Sequence, residues 1–240
     1  MRTETQPISG DEISALGLFG HDSPQANAEI ASSAQRLSAP RGEQIIRQGM
    51  VPEGLYGVRE GRLKLYLLGC NGEERVIRIL EPGETFAEAL MFNSIPSPVY
   101  VETLTPCILC FIPRDAIYAH LGRDPEFTLA MLQGMSGMLR QLIIDLETCC
   151  MHNALGRVAG YLLKLAEATP PPHCEIQLPA TKSLVASTLN LSAETFSREL
   201  HRLEHQGVIR ISRRTIYVQD LSVLQDRAGV AIEPAGSVPR

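Results

Sequence analysis

From Asp124-Pro125 to Cys150 the chain carries one unbroken helical pattern, and that run dictates the layout of what surrounds it. Asp124 suits an N-cap, and proline at the first helical position gives up an N–H that would lack a partner anyway. Leu132, Met135, Leu139, Leu142, Leu146 and Cys149 then follow at alternating three- and four-residue spacing, the heptad seam of a coiled coil. Met131, Met138 and Ile143 widen the apolar surface beyond one stripe. A helix apolar on two sides must bury both. One side is expected to face the preceding domain and the other a second copy of the chain, making residues 123–152 a dimerisation helix. An ordinary core helix within a monomer is the competing reading.

The two flanks differ in kind. Residues 1–20 are polar and weakly patterned, a lead-in with one short helix near Asp11 to Phe19. From Arg36 to about Ile112, short apolar runs are punctuated by Gly42, Gly49, Gly54, Gly57, Gly61, Gly72 and Gly83. The stretches Gly61–Leu67 and Glu73–Leu80 alternate around Asn71-Gly72, a strong hairpin signal. Many short strands at this spacing predict a compact β-roll, a double-stranded β-helix over residues 21–122. The fold class is therefore α+β.

Beyond the long helix, Leu155 to Ala168 repeats the helical pattern and runs into the Thr169-Pro170-Pro171-Pro172 linker. Lys182 to Leu189 and Ser192 to His205 then form two short helices about a four-residue junction. In the second, Phe196, Leu200 and Leu203 share one stripe, while Glu194, Ser197, Arg198, His201 and His205 share the opposite one. Ser192 is a good N-cap, Glu194 suits the positive end of the helix dipole, and Gly207 is a stop. Two helices so joined, the second presenting Glu, Ser and Arg outward, make a helix-turn-helix with a recognition helix. An amphipathic helix pair with a solvated face is the alternative. Val208–Ile211 and Thr215–Val218 flank Ser212-Arg213-Arg214, a β-hairpin wing with a basic tip. Residues 153–224 thus form a winged helix-turn-helix, and residues 225–240, rich in Ala, Gly and Pro, are expected to be a disordered tail.

Charge separates along the same lines. The chain of 240 residues carries −5 overall, yet Thr181 to Asp220 holds six basic against four acidic residues, a local +2. An acidic body with one basic module can dock on phosphates at one face only. No secretory signal or run of about 20 apolar residues is present. The six scattered cysteines (Cys70, Cys107, Cys110, Cys149, Cys150, Cys174) suit a reducing cytoplasm without disulfides. A cupin-like metalloenzyme would need clustered strand histidines. His21, His120, His152, His173, His201 and His205 supply no such pair, so the chain is not expected to be an enzyme.

A β-roll, a long dimer helix and a winged helix-turn-helix, in that order, resemble the CRP/FNR family of bacterial transcription regulators over roughly residues 15–222. The specific motifs are Glu81-Pro82-Gly83-Glu84-Thr85-Phe86-Ala87-Glu88-Ala89 and Glu194-Thr195-Phe196-Ser197-Arg198. The resemblance implies a homodimer on double-stranded DNA, with RNA polymerase as a further partner. In the FNR branch a Glu, two intervening residues, a Ser and an Arg read a TTGAT-type half-site, the pattern held here by Glu194, Ser197 and Arg198. Branches preferring TGTGA carry an arginine just before that Glu, where this chain has Ala193. A glutamate can accept from cytosine N4 and an arginine can fork onto guanine O6 and N7, each worth about 1–3 kcal/mol of discrimination. Thr181, Lys182, Ser192, His201, Arg202, Arg213 and Arg214 are the candidate phosphate contacts.

The resemblance also frames the signal. It implies an effector pocket near Phe86, Glu88, Met91 and Ser97. Cyclic-nucleotide binders of the family place an Arg-Ser pair after the β-roll Glu. Here Ile95-Pro96-Ser97-Pro98-Val99 keeps the serine but has Pro96 for the arginine, so tight cyclic AMP binding is not expected. No cysteine precedes Cys70, so an FNR-type iron–sulfur cluster is not expected either. Cys107 and Cys110, three apart on a strand, point to opposite faces and are expected in the core. Thr85 to Phe92, Asn153 to Ala159 and Val185 to Arg198 are similar to the dissimilative nitrate respiration regulator branch, which implies nitric oxide sensing through haem. The places matching that branch's candidate haem histidines hold Leu16, Gly17 and Thr188, leaving His21 as a nearby candidate ligand against the plainer reading of a surface histidine. Cys149 on the seam admits a thiol switch, against a small apolar seam residue. An effector-independent DNA binder is the remaining alternative.

Overall fold

Gly72, at φ +79°, closes the hairpin that Asn71-Gly72 predicts. Strands β5 (Leu63–Leu68) and β6 (Glu74–Leu80) pair antiparallel about it, from Leu63↔Leu80 to Leu68↔Glu74. The structure, a computed structural model, describes residues 2–4, 6–20, 23–151, 153–167, 175–213 and 215–229, without side chains at 145 and 148–151. The chain divides into two units, 1–141 and 142–240.

In the first unit, β1 (Arg2–Glu4), β2 (Gln35–Ala39), β4 (Gly54–Glu60), β7 (Thr85–Phe86) and β9 (Cys107–Pro113) form one sheet, in the order β1-β2-β9-β4-β7. The second sheet has the order β3-β8-β5-β6, with β3 (Gln44–Ile46) and β8 (Tyr100–Thr103). Leu37, Val58 and Leu109 of the first sheet share a core with Ile46, Leu63, Leu80 and Val101 of the second. This is the β-roll. Alternation then decides what β9 does with its other face. Cys107 and Leu109 enter that shared core, whereas Cys110 and Ile112 enter a second core under the helices. The two cysteines are thus buried on opposite faces, as their spacing predicts. Burial pushes the Cys110 thiol up to about 12, so it stays an inert core residue.

Helices α1 (Gly10–Ser14), α2 (Pro24–Ser33), α3 (Glu88–Asn93), α4 (Arg114–Leu121) and the start of α5 (Pro125–Met151) cover that second core. The polar lead-in over residues 1–20 proves to be part of the fold. Ile13, Leu16, Leu18 and Phe19 are fully buried in it, and β1 adds an edge strand on β2. A reciprocal capping box starts α1. The Glu12 backbone N–H donates to Ser9 Oγ at 3.3 Å, and the Ser9 N–H donates to Glu12 Oε2 at 2.9 Å. Glu12 also meets Arg36 at 2.7 Å and Arg59 at 3.0 Å. Burial opposes the charge there, but the Ser9 N–H and the two guanidiniums hold the Glu12 carboxyl below the usual carboxylate range.

Asp124 caps α5 as expected, its Oδ1 accepting from the Phe127 N–H at 3.0 Å. Phe127 and Met131 bury against the second core, and Met138 packs beside them. Gly134 permits the close approach of this helix to the N-terminal segment: a Cβ there would lie 2.8 Å from the Leu18 carbonyl oxygen. Alanine in a helix gains about 1 kcal/mol over glycine, but overpacking against fixed backbone costs about 1–3 kcal/mol. Gly134→Ala is therefore expected to lower the melting temperature. A raised one would show that α5 docks less tightly than described.

The second unit holds α6 (Ala154–Glu167), β10 (Glu175–Gln177), α7 (Lys182–Thr188), α8 (Ala193–His205), β11 (Ile209–Ser212), β12 (Thr215–Val218) and α9 (Leu221–Ala228). Val158, Leu162, Val185, Phe196, Leu200, Leu203, Ile216 and Leu224 make its core. Its sheet has the order β10-β12-β11, so the wing hairpin gains a third strand that the sequence reading did not assign. Gln225 to Ala228, read from sequence as the start of a disordered tail, complete α9, because Leu224 and Ala228 bury on the core. The Thr169–Pro172 linker, Cys174 and residues 230–240 lie outside the described residues. No helix among the described residues is long and apolar enough to cross a membrane.

Candidate nucleic-acid interface

Both helices of the predicted pair start on a hydroxyl. Thr181 Oγ1 accepts from the Leu184 N–H at 3.4 Å, and Ser192 Oγ accepts from the Thr195 N–H at 3.1 Å. These exposed N-termini suit phosphate oxygens, since their first N–H groups lack helical partners. Between them Asn190 takes the left-handed conformation at φ +54°, which asparagine tolerates better than most residues. Arg157 of α6 locks this turn from outside, its Nη1 donating to the Leu189 carbonyl at 2.9 Å and the Asn190 carbonyl at 3.3 Å. Sequence reading missed Arg157. A lone arginine in a helical run carries no local sign that it reaches a turn more than thirty residues on.

Helix α8 divides its faces as the periodicity predicts. Phe196, Leu200 and Leu203 are fully buried, and Glu194, Arg198, His201, Arg202 and His205 are exposed, with Ser197 at the boundary. Glu199 departs from a polar-out pattern. It is buried, with its Oε1 accepting from Arg198 Nε at 3.3 Å and its Oε2 3.6 Å from Arg202 Nη1. Glu204 ties the helix to the wing: its Oε1 accepts from the Ile211 N–H at 2.8 Å, while Oε2 lies 3.3 Å from His201 Nδ1. The bond from Ile211, followed by that with His201, holds the Glu204 carboxyl below its usual range. His201 is thus already engaged at one nitrogen.

On the wing, Arg210 stacks over its cross-strand partner Tyr217, 4.7 Å from the ring centroid. Arg213 sits at the tip in the left-handed conformation, at φ +56° and exposed, whereas Arg214 lies outside the described residues. Lys182 stands in the first turn of α7, half-buried.

The apolar face predicted on α5 is exposed at Leu132, Leu139, Leu142 and Leu146, as its spacing predicts, with Met135 the exception. Leu129, Leu132, Leu139, Leu142, Ile143 and Leu146 are each 53–64 % exposed. Met135, assigned to the seam from its spacing, instead packs half-buried against the helix-covered core of the first unit. A helix apolar on two sides offers more than one three-four register, and only packing chooses between them. The Cys149 side chain lies outside what the structure describes.

The first unit has a cavity of about 470 Å³ against α5, lined by Gly83, Glu84, Thr85, Gln133, Gly134 and Met138 among others. Arg78, also in its wall, pairs with Glu84. None of Phe86, Glu88, Met91 or Ser97 lines it. Phe86 stacks on Tyr56 at 5.1 Å inside the β-roll, and Met91 is wholly buried under the helices. Ser97 is buried, its hydroxyl donating to the Val99 carbonyl at 2.8 Å. Glu88 is half-buried, with an Oε1 that has no hydrogen-bond partner among the described residues, and burial pushes its carboxyl up. Among the described residues no group of three or more His, Cys, Asp or Glu is placed to hold a metal ion, and His21 lies outside them.

Comparison with known proteins bears on this arrangement directly. Residues 36–124 match the cyclic nucleotide-binding domain family, and residues 156–227 match the Crp-like helix-turn-helix domain family. The crystal structure of DNR from Pseudomonas aeruginosa is 32 % identical, covering 93 % of this chain and 99 % of that one, with a TM-score of 0.51. This chain belongs to the CRP/FNR family of transcription regulators. A CRP-like cAMP-activated global transcriptional regulator of Mycobacterium tuberculosis is 27 % identical over 91 % of this chain and 99 % of its own length. FixK2 from Bradyrhizobium japonicum superimposes with a TM-score of 0.71 over 80 % of this chain and 96 % of that one, at 22 % identity, a likeness of fold. CRP/FNR regulators bind DNA and act as dimers, and these homologues are regulators rather than enzymes.

Proposed function

We propose that the protein is a homodimeric regulator whose α8 helices read a palindrome of TTGAT-type half-sites about one helical turn apart. The observation that carries this is the row of exposed Glu194 and Arg198 with half-buried Ser197 between them, held on a helix whose opposite face is fully buried. Glu194 accepts from cytosine N4, Arg198 forks onto guanine, and Ser197 meets a thymine edge. Thr181, Lys182, Ser192, His201, Arg202, Arg213 and Arg214 are assigned to phosphates. RNA polymerase is the expected further partner. Selection of bound duplexes from a random pool tests the reading. Recovery of palindromic TTGAT-type sites supports it, and a pool without sequence bias sinks it.

Lys182 separates positioning from reading. Lys182→Ala is expected to weaken operator and scrambled duplexes alike, and to lower the slope of log K against log salt by about two, one for each protomer. An effect confined to operator DNA would reassign Lys182 to base recognition.

The cavity against α5 is the proposed effector site, because a ligand there touches the helix that carries the exposed seam. Its volume falls in the range of small-molecule sites. A ligand favouring one packing of α5 would shift the dimer between two arrangements and so set DNA affinity. Haem carrying nitric oxide is the finer reading, and it rests on the motif resemblance of Thr85 to Phe92, Asn153 to Ala159 and Val185 to Arg198 to the dissimilative nitrate respiration regulator branch. Of the lining residues, Met138 offers a soft donor atom; the candidate imidazole, His21, lies outside the described residues. Anaerobic titration with haem, with and without nitric oxide, tests this: a Soret shift coupled to operator affinity supports it, and no uptake removes it. Cyclic AMP is expected to bind weakly, since Pro96 stands in place of an arginine and the Ser97 hydroxyl is engaged by Val99. Sub-micromolar affinity by calorimetry would overturn that expectation.

A further inference from the structure

Glu199 lies between two exposed arginines on α8, yet its own side chain is only 9 % exposed. Its helical neighbours Phe196, Leu200 and Leu203 are apolar and fully buried, so a leucine would satisfy this position more cheaply than a carboxylate. The contact with Arg202 is the ordinary i,i+3 pair, with the acid on the N-terminal side. The contact with Arg198 is not ordinary. Side chains one residue apart on a helix diverge by 100° and do not normally meet. Here the Arg198 chain leans back so that its Nε donates to Glu199 Oε1 at 3.3 Å.

That choice of nitrogen matters. A guanidinium has two forks able to engage a guanine, one made of Nε with an Nη and one made of both Nη groups. A bond at Nε occupies the first fork. The second carries no hydrogen bond among the described residues and stands on a side chain that is 64 % exposed. We propose that Glu199 is a positioning residue for base recognition: it grips Arg198 at Nε and presents the Nη1/Nη2 fork to guanine O6 and N7. Preorganisation of this kind strengthens binding by removing rotamer freedom before DNA arrives. The inference rests on the assignment of Arg198 as a base reader.

The test compares wild type, E199L, E199Q and R198A as full-length protein on two duplexes. One carries the TTGAT-type palindrome, and the other has the guanine replaced by adenine in both half-sites. E199L is expected to lower the guanine-over-adenine preference at least tenfold, while affinity for the adenine duplex changes less than threefold. E199Q, nearly isosteric and retaining an acceptor oxygen, should lower the preference by a smaller factor, and it serves alone if E199L does not fold. Equal loss on both duplexes would mean that Glu199 only supports the helix, and an unchanged preference in both variants would likewise overturn the proposal. Should R198A keep the wild-type guanine preference, the base-reading assignment itself fails and takes the inference with it. That result is distinguishable because it appears in the variant that retains Glu199.

Discussion

Leu139→Glu should separate the dimer and reduce operator binding to the level of random DNA. Leu139 is 60 % exposed at the middle of the apolar face of α5, with Leu132 and Leu146 about two turns away on either side. Burying a leucine is worth about 1.5–3 kcal/mol, and each exposed member of the row stands to contribute on that scale. A glutamate in each protomer removes that contribution and sets two carboxylates near each other in an apolar seam. A monomer reads one half-site only. Specific binding by such regulators is at least about a thousandfold tighter than their non-specific binding, so the expected loss is at least about a thousandfold. Light scattering should give the monomer mass, with the circular dichroism of the wild type. A dimer persisting at low micromolar concentration would show that the exposed row is not the interface.

Arg198→Ala is expected to have the second largest effect. One bidentate arginine–guanine contact discriminates by about 1–3 kcal/mol, and a dimer makes it twice, so operator affinity should fall by about thirtyfold to twenty-five-thousandfold. Affinity for scrambled DNA should fall only slightly, because Arg198 is assigned to a base and not to a phosphate. Competition binding at fixed salt measures both. If the variant separates operator from scrambled DNA as well as wild type does, the recognition row has been misassigned.

The helix-turn-helix was legible because each of its signals is local. Ser192 as a cap, Gly207 as a stop and the Phe196–Leu200–Leu203 stripe all act within a few residues, and all stand where their chemistry requires. The hairpin at Asn71-Gly72 and the opposed burial of Cys107 and Cys110 were legible for the same reason. What the sequence concealed depends on contacts between distant segments. The lead-in appeared polar, yet Leu16, Leu18 and Phe19 close a core whose other members reach from α1 to α4 and include β4, β9 and α5. Met135 has seam spacing, but the turn of α5 against that core sends it inward. The effector residues suggested by the family motif do not line the cavity: Phe86 is taken up by Tyr56 and Ser97 by Val99. Glu199 entered the sequence reading only as one of the four acidic residues between Thr181 and Asp220. Its role depends on where the Arg198 side chain turns, which no spacing encodes.

One titration tests the central claim most directly. Purified protein is bound to two labelled duplexes of equal length and composition at near-physiological salt, one with TTGAT-type half-sites a helical turn apart and one scrambled. A dimer reading bases through Glu194, Ser197 and Arg198 should hold the palindrome about a thousandfold more tightly, the lower end of the range for specific regulators. Equal affinity for the two duplexes would contradict the account.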